Sequence, residues 1–91
     1  MFAVVVQESG DAERVRGSRD RVEANVVPQV KNAPGIVSAT FTTDESGKTL
    51  NLFLFQTQDA AQMAVEWIRG APRPSFMRLE TVELREVLGH F

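Results

Sequence analysis

The chain offers few of the side chains that carry acid–base or nucleophilic chemistry near neutral pH. It has one histidine, His90, and neither cysteine nor tyrosine. Histidine is the usual general base at that pH, but His90 stands next to the last residue of the sequence, and we expect it to be solvated. The serines lie outside any Gly-x-Ser-x-Gly pattern and have no histidine partner. The sequence therefore predicts no serine nucleophile.

The charged residues form neither a metal-binding nor a phosphate-binding pattern. The acids are scattered, and none has a His or Cys neighbour at ligand spacing, so no metal site is expected. The densest basic run is interleaved with acids, which predicts a solvated helix face with ion pairs three and four residues apart. This run comprises Arg14, Arg16, Arg19 and Arg21, interleaved with Glu13, Asp20 and Glu23.

Composition narrows the class of protein. The 91 residues predict a single domain over 1–91. A net charge of −2 argues against nucleic acid as the main partner. No stretch approaches the ~20 apolar residues of a membrane-spanning helix, and the first apolar run lacks the features of a signal peptide. We therefore expect a cytoplasmic protein without a membrane partner.

The probable strands are apolar on both faces. Residues 2–6 and 50–55 are nearly unbroken apolar runs, whereas a half-exposed strand alternates apolar and polar residues. A chain of this length has few elements with which to cover two sheet faces. We expect helices to cover one face and a second copy of the chain to cover the other, which predicts a homodimer.

Turn and capping residues divide the chain into β-α-β-β-α-β order. Glu8-Ser9-Gly10 is predicted as a turn, and Asp59 with Gln62 as the capping box of the second helix. Gly17 and Pro28 predict that the first helix is bent or divided. The predicted strands are 2–7, 36–43, 49–56 and 77–87, and the helices are 11–32 and one from Asp59 to a stop at Gly70.

This order predicts an α+β, ferredoxin-like fold. One four-stranded antiparallel sheet carries both helices on one face, and two such sheets pack as a dimeric α/β barrel. The sequence leaves open which face of the third strand meets the helices.

Three local signals resemble the dimeric α/β-barrel proteins, in particular the antibiotic-biosynthesis-monooxygenase-like group. The segment 34–38, Pro-Gly-Ile-Val-Ser, is similar to the start of the second strand in that group. The segment 55–61, Phe-Gln-Thr-Gln-Asp-Ala-Ala, looks like the passage from its third strand into its second helix. A late strand after a proline-containing loop is the third signal.

The resemblance implies an apolar pocket between sheet and helices. The candidates to line it are Gln7, in place of an Asn of that group, and Asn51, Phe53, Phe55, Met63 and Trp67. A row of aromatic side chains is also typical of a plain core or a dimer interface. The haem-degrading members of the group carry a ligating His beyond the start of the second helix, and residues 57–89 contain none. No cofactor is therefore expected.

Three functions remain open at this stage. The first is a homodimeric barrel protein of undetermined activity that binds a small apolar or aromatic molecule. The second is a cofactor-independent monooxygenase of aromatic, quinol-type substrates, for which Gln7, Asn51 and Trp67 are the polar and indole candidates. The third is a ligand-sensing module. The fold alone does not separate them.

Overall fold

The computed structural model describes residues 1–91 as one sheet with helices packed on one of its faces. The strands follow the order β2-β3-β1-β4, and all neighbouring strands are antiparallel. The predicted ferredoxin-like α+β fold is confirmed. The strands are β1 (Phe2–Gly10), β2 (Ile36–Thr43), β3 (Lys48–Phe55) and β4 (Met77–Glu86); the helices are α1 (Ala12–Arg16), α2 (Arg19–Arg21), a π-helical turn (Val22–Val26), α3 (Val27–Lys31) and α4 (Gln58–Gly70).

β1 is longer than the sequence predicts. The turn predicted at residues 8–10 is wrong, because the strand continues to Gly10 and pairs with both neighbours on the way. Ser9 stands opposite Lys48 on β3 and Arg78 on β4. The apolar run ends at Val6, but backbone pairing does not need apolar side chains. A bulge between Gln7 and Glu8 absorbs the register shift against β4.

The first helical region is segmented as predicted. α1 ends at Arg16, and Gly17 and Ser18 separate it from α2. The π-helical turn comes directly before α3, and within it the Val27 N–H donates to the Val22 carbonyl. Pro28 has no N–H, and its ring crowds the carbonyl four residues earlier, so the helix widens just before it. We call residues Ala12–Lys31 the segmented helix.

The cap of α4 is Thr57, two residues before the predicted cap Asp59. The Thr57 backbone is extended, and its hydroxyl accepts a hydrogen bond from the Ala60 N–H at 3.1 Å. The predicted Asp59 capping box is therefore wrong, because a threonine before it already occupies the cap position. Asp59 lies in the first turn, where its negative charge is favourable at the helix N-terminus.

The two faces of the sheet differ in what covers them. Val4, Val6, Phe53 and Phe55 point towards the helices and form the core with α4. The face of β3 that meets the helices, left open by the sequence, is thus the aromatic one. Leu50 and Leu52 alternate onto the other face and are 44% and 37% exposed. We call this second face the open face.

No helix of the protein has the length and apolar character that crossing a membrane requires. The cytoplasmic location stays a prediction.

Candidate functional site

Two cavities lie between the helices and the aromatic face of the sheet. Their volumes are about 680 and 310 Å³, within the range of small-molecule sites. Both are lined by Phe53 on β3, Val30 on α3, and Trp67 and Ile68 on α4. Because they share these walls, the two cavities form one groove between the segmented helix and α4.

The smaller cavity is the apolar end of the groove. Nine of its twelve lining residues are hydrophobic, so it suits the apolar body of a ligand. Phe55 and Ala60 line it, as do Met63 and Trp67. The last two are 62% and 60% exposed, respectively. Large apolar side chains that stay this exposed beside a cavity are available to cover a bound molecule.

The larger cavity has a polar wall. Glu8 on β1 and Arg73, in the loop after α4, line it and form an ion pair at 2.8 Å. Both side chains are less than one-fifth exposed. Arg73 also donates to the carbonyls of Ile68 at 2.6 Å and Ala71 at 3.0 Å. It thereby satisfies carbonyl groups at the end of α4, as cationic side chains there commonly do.

Asn51 contributes a second polar group to the larger cavity. Its Oδ1 accepts a hydrogen bond from the Thr42 N–H at 3.3 Å. Its amide nitrogen has no protein partner and stays free to donate. Beside it, the rings of Phe41 and Phe53 meet edge to face with centroids 5.5 Å apart, a preferred arrangement of aromatic pairs.

The cavity charge differs in sign from that of the whole chain. Four arginines and two glutamates line the larger cavity, an excess of positive charge in a chain of net charge −2. The predicted ion pairs along the basic run do not form; its charged side chains are exposed, as predicted, and an ion pair in water gains little over solvation. Arg14 instead lies over the Phe76 ring, 5.8 Å from its centroid.

Five of the six candidate residues line the groove, and Gln7 does not. Asn51, Phe53, Phe55, Met63 and Trp67 all contact one cavity or both. Strand alternation places Gln7 on the open face, where it stands opposite Leu50 and Thr81 and accepts from the Thr81 hydroxyl at 3.3 Å. The expectation for Gln7 is therefore corrected. The resemblance implies Gln7 at the pocket in place of an Asn, but the face towards the helices belongs to its neighbours Val6 and Glu8.

Glu8 and Arg73 line the larger cavity but are not among the residues that the sequence predicts there. Alternation from Val4 and Val6 would have placed Glu8 on the helix side, but the predicted turn removed residue 8 from the strand. Arg73 lies in a proline-rich loop, and no sequence pattern marks it.

Metal and haem ligands are not gathered in the groove. No group of three or more His, Cys, Asp or Glu side chains is close enough to hold a metal ion. His90 is exposed and lines neither cavity.

Two acids outside the groove have shifted pKa values. Hydrogen bonds from the Ser9 hydroxyl, and then from Arg78, lower the pKa of Glu80 on β4. A hydrogen bond from the Ser46 hydroxyl is the main cause that lowers the pKa of Asp44 in the β2–β3 turn. Both shifts favour the charged carboxylate.

The fold and the groove define a ferredoxin-like protein with a ligand-sized cavity between sheet and helices. Three solved structures are similar over 99–100% of this chain, at 13–16% sequence identity. Such low identities support likeness of fold alone. Neither a protein-family model nor a curated protein sequence matches the chain.

One of the three structures is a monooxygenase, one is a dimeric protein, and one holds a metalloporphyrin in its active site. One is the monooxygenase ActVA-Orf6 of Streptomyces coelicolor with Nanaomycin D, with TM-score 0.61, 16% identity and 89% of its chain covered. The second is a dimeric ferredoxin-like protein from an uncultured marine organism, with TM-score 0.62, 13% identity and 98% covered. The third is a point mutant of MhuD with two manganese protoporphyrin IX per active site, with TM-score 0.65, 14% identity and 98% covered. The ferredoxin-like fold that the resemblance implies is confirmed.

Proposed function

We propose that this chain forms a cytoplasmic homodimer whose groove binds a small, mainly apolar aromatic molecule. The observation that carries the proposal is the groove itself, whose apolar end and polar-walled part share Phe53 and Trp67 as lining residues. Apolar walls with a few fixed polar groups are the usual make-up of a small-molecule site. Residues 1–91 act as one domain in this proposal.

The open face supports the homodimer. Val5, Leu50 and Leu52 form its apolar centre, whereas Glu83 and Arg85 on β4 form a charged rim. An apolar centre with a polar rim is typical of a protein interface. A dimeric ferredoxin-like protein is among the similar structures, which also favours this assembly.

Two of the similar structures hold ligands. The monooxygenase is in complex with Nanaomycin D, and MhuD holds manganese protoporphyrin IX. They make ligand binding a reasonable role for this fold.

Titration calorimetry with β-naphthol tests the proposal. We expect the wild-type protein to bind this probe, and Trp67→Ala to weaken binding about three- to tenfold because an aromatic wall is lost. Leu88→Ala is the matched control, since Leu88 is 99% exposed and lines neither cavity. Equal affinities of Trp67→Ala and wild type would place the bound probe outside the groove.

The alternative function is a cofactor-independent monooxygenase of quinol-type aromatics. The free amide of Asn51 and the carboxylate of Glu8 favour it, since they could orient a polar aromatic substrate. Oxygen uptake with a panel of hydroquinones, without added metal or flavin, separates the two functions. Turnover lost in Trp67→Ala and kept in Leu88→Ala favours the enzyme, whereas binding without turnover favours the binding protein.

A further inference from the structure

The Glu8 carboxylate is the one acidic group of the groove that is both part-buried and rigidly held. We infer that Glu8, positioned by Arg73, determines specificity by accepting a hydrogen bond from a hydroxyl group on the aromatic ligand. This inference rests on the proposed function and adds the ligand feature that the groove selects.

Hydrogen bonds hold both the backbone and the carboxylate of Glu8. Its backbone N–H donates to the Thr49 hydroxyl at 3.2 Å, and its Oε2 accepts from Arg73 Nε at 2.8 Å. Arg73 is itself anchored to two carbonyls at the end of α4. The carboxylate is therefore oriented before any ligand arrives, which lowers the entropic cost of binding.

One oxygen of Glu8 is left for a ligand. Oε2 bonds to Arg73, whereas Oε1 has no hydrogen-bond partner in the protein. No buried side-chain oxygen or nitrogen lacks a partner, so Oε1 must be accessible. Since Glu8 lines the larger cavity, this oxygen can meet a molecule bound there.

The chemistry of this oxygen selects for a donor. An ionised carboxylate accepts hydrogen bonds and cannot donate them. A hydroxyl group has a proton to donate to Oε1, whereas an ether oxygen has none. An ether would displace water from Oε1 without replacing the hydrogen bond that the water makes. Hydrogen bonds to charged groups are stronger than those between neutral groups. We therefore expect the groove to prefer hydroxylated aromatics over their methyl ethers.

Calorimetry with β-naphthol and its methyl ether tests this preference. In the wild-type protein we expect β-naphthol to bind about tenfold more tightly. Glu8→Gln should reduce that ratio to about threefold or less, because its amide oxygen takes the place of Oε2 beside Arg73 and its NH2 group, a donor, replaces the accepting Oε1. The affinity for the methyl ether should not fall, since this NH2 group can donate to an ether oxygen.

Glu66→Gln is the matched control. It makes the same chemical change on α4, where Glu66 is exposed and lines neither cavity. We expect it to keep the tenfold preference. If Glu8→Gln does not fold by circular dichroism, Glu8→Asp serves instead, because it keeps the charge but withdraws the oxygen by one methylene.

The results of these titrations distinguish the role of Glu8 from the proposed binding function. Equal binding of β-naphthol and the ether by the wild-type protein overturns the role of Glu8 and leaves the proposed function standing. A preference that survives in Glu8→Gln, or in Glu8→Asp where Glu8→Gln does not fold, also overturns that role. If the wild-type protein binds neither probe, the proposed function itself fails for this class of ligand.

Discussion

Single residues fix the turns on which the groove depends, and Asp44 is the clearest case. Its Oδ1 accepts from the Ser46 N–H at 2.9 Å, the Ser46 hydroxyl at 2.7 Å and the Lys48 N–H at 3.0 Å. The side chain thus organises the turn that sets the register between β2 and β3. That register places Asn51 opposite Phe41 at the polar wall.

We expect Asp44→Ala to lower the stability of the protein at neutral pH. The pKa of Asp44 is lowered in the folded state, chiefly by the Ser46 hydroxyl. Its contribution is fully present above the ordinary carboxyl pKa of about 4 and is lost as the pH falls through the lowered value. Urea unfolding of both proteins over a pH series measures this.

The neighbouring acid is the control for that series. Glu45→Ala removes a carboxylate from the same turn that makes no hydrogen bond, and it should leave stability unchanged. A stability gap between Asp44→Ala and wild type that is as large in acid as at neutral pH would contradict the assigned role of the charged carboxylate.

At the scale of elements, the β2–β3 turn packs against the end of β1. The Gly10 N–H donates to the Gly47 carbonyl at 3.1 Å. Gly47 has a positive φ of 86°, and a Cβ there would lie 2.5 Å from the Gly10 oxygen. Only glycine fits both the backbone conformation and the close approach.

Gly47→Ala should therefore destabilise the protein, with backbone strain alone contributing about 1–3 kcal/mol. Chemical denaturation measures the loss of unfolding free energy. Gly70→Ala is the matched control, because no atom lies within 4 Å of a Cβ at that helical position. A Gly47→Ala variant as stable as Gly70→Ala would show that the turn does not require glycine at this position.

The sequence predicts most elements because their signals are local. Gly17 and Pro28 break the first helix where the structure breaks it, and β2 has its predicted bounds. The length of β1 is not a local property, because its ladder beyond Val6 comes from pairing with distant strands. The sequence therefore predicts a turn at residues 8–10 and Gln7 at the groove, whereas the structure keeps Glu8 in the strand and at the cavity.

At the scale of the whole molecule, a glutamate substitution should have a different effect on each face of β3. We expect Phe53→Glu to prevent folding, because Phe53 is 7% exposed in the core and an unpaired charge there is costly. Leu52→Glu, on the open face, should leave a folded monomer. Circular dichroism reports folding, and light scattering reports the mass.

The comparison of these two variants decides whether the open face is the interface. A Leu52→Glu protein that stays as dimeric as the wild type would exclude an interface on this face. Thr40→Glu, on the open face of edge strand β2 opposite Leu52, should weaken the dimer less, because charges at an interface rim cost less than charges at its centre.

Native mass spectrometry of the wild-type protein, with and without β-naphthol, tests the central claim most directly. The account predicts a dimer that carries up to one β-naphthol per subunit and releases it under denaturing conditions. A monomer would contradict the assembly. A dimer that takes up no β-naphthol, and releases no small molecule of its own, would contradict the binding function.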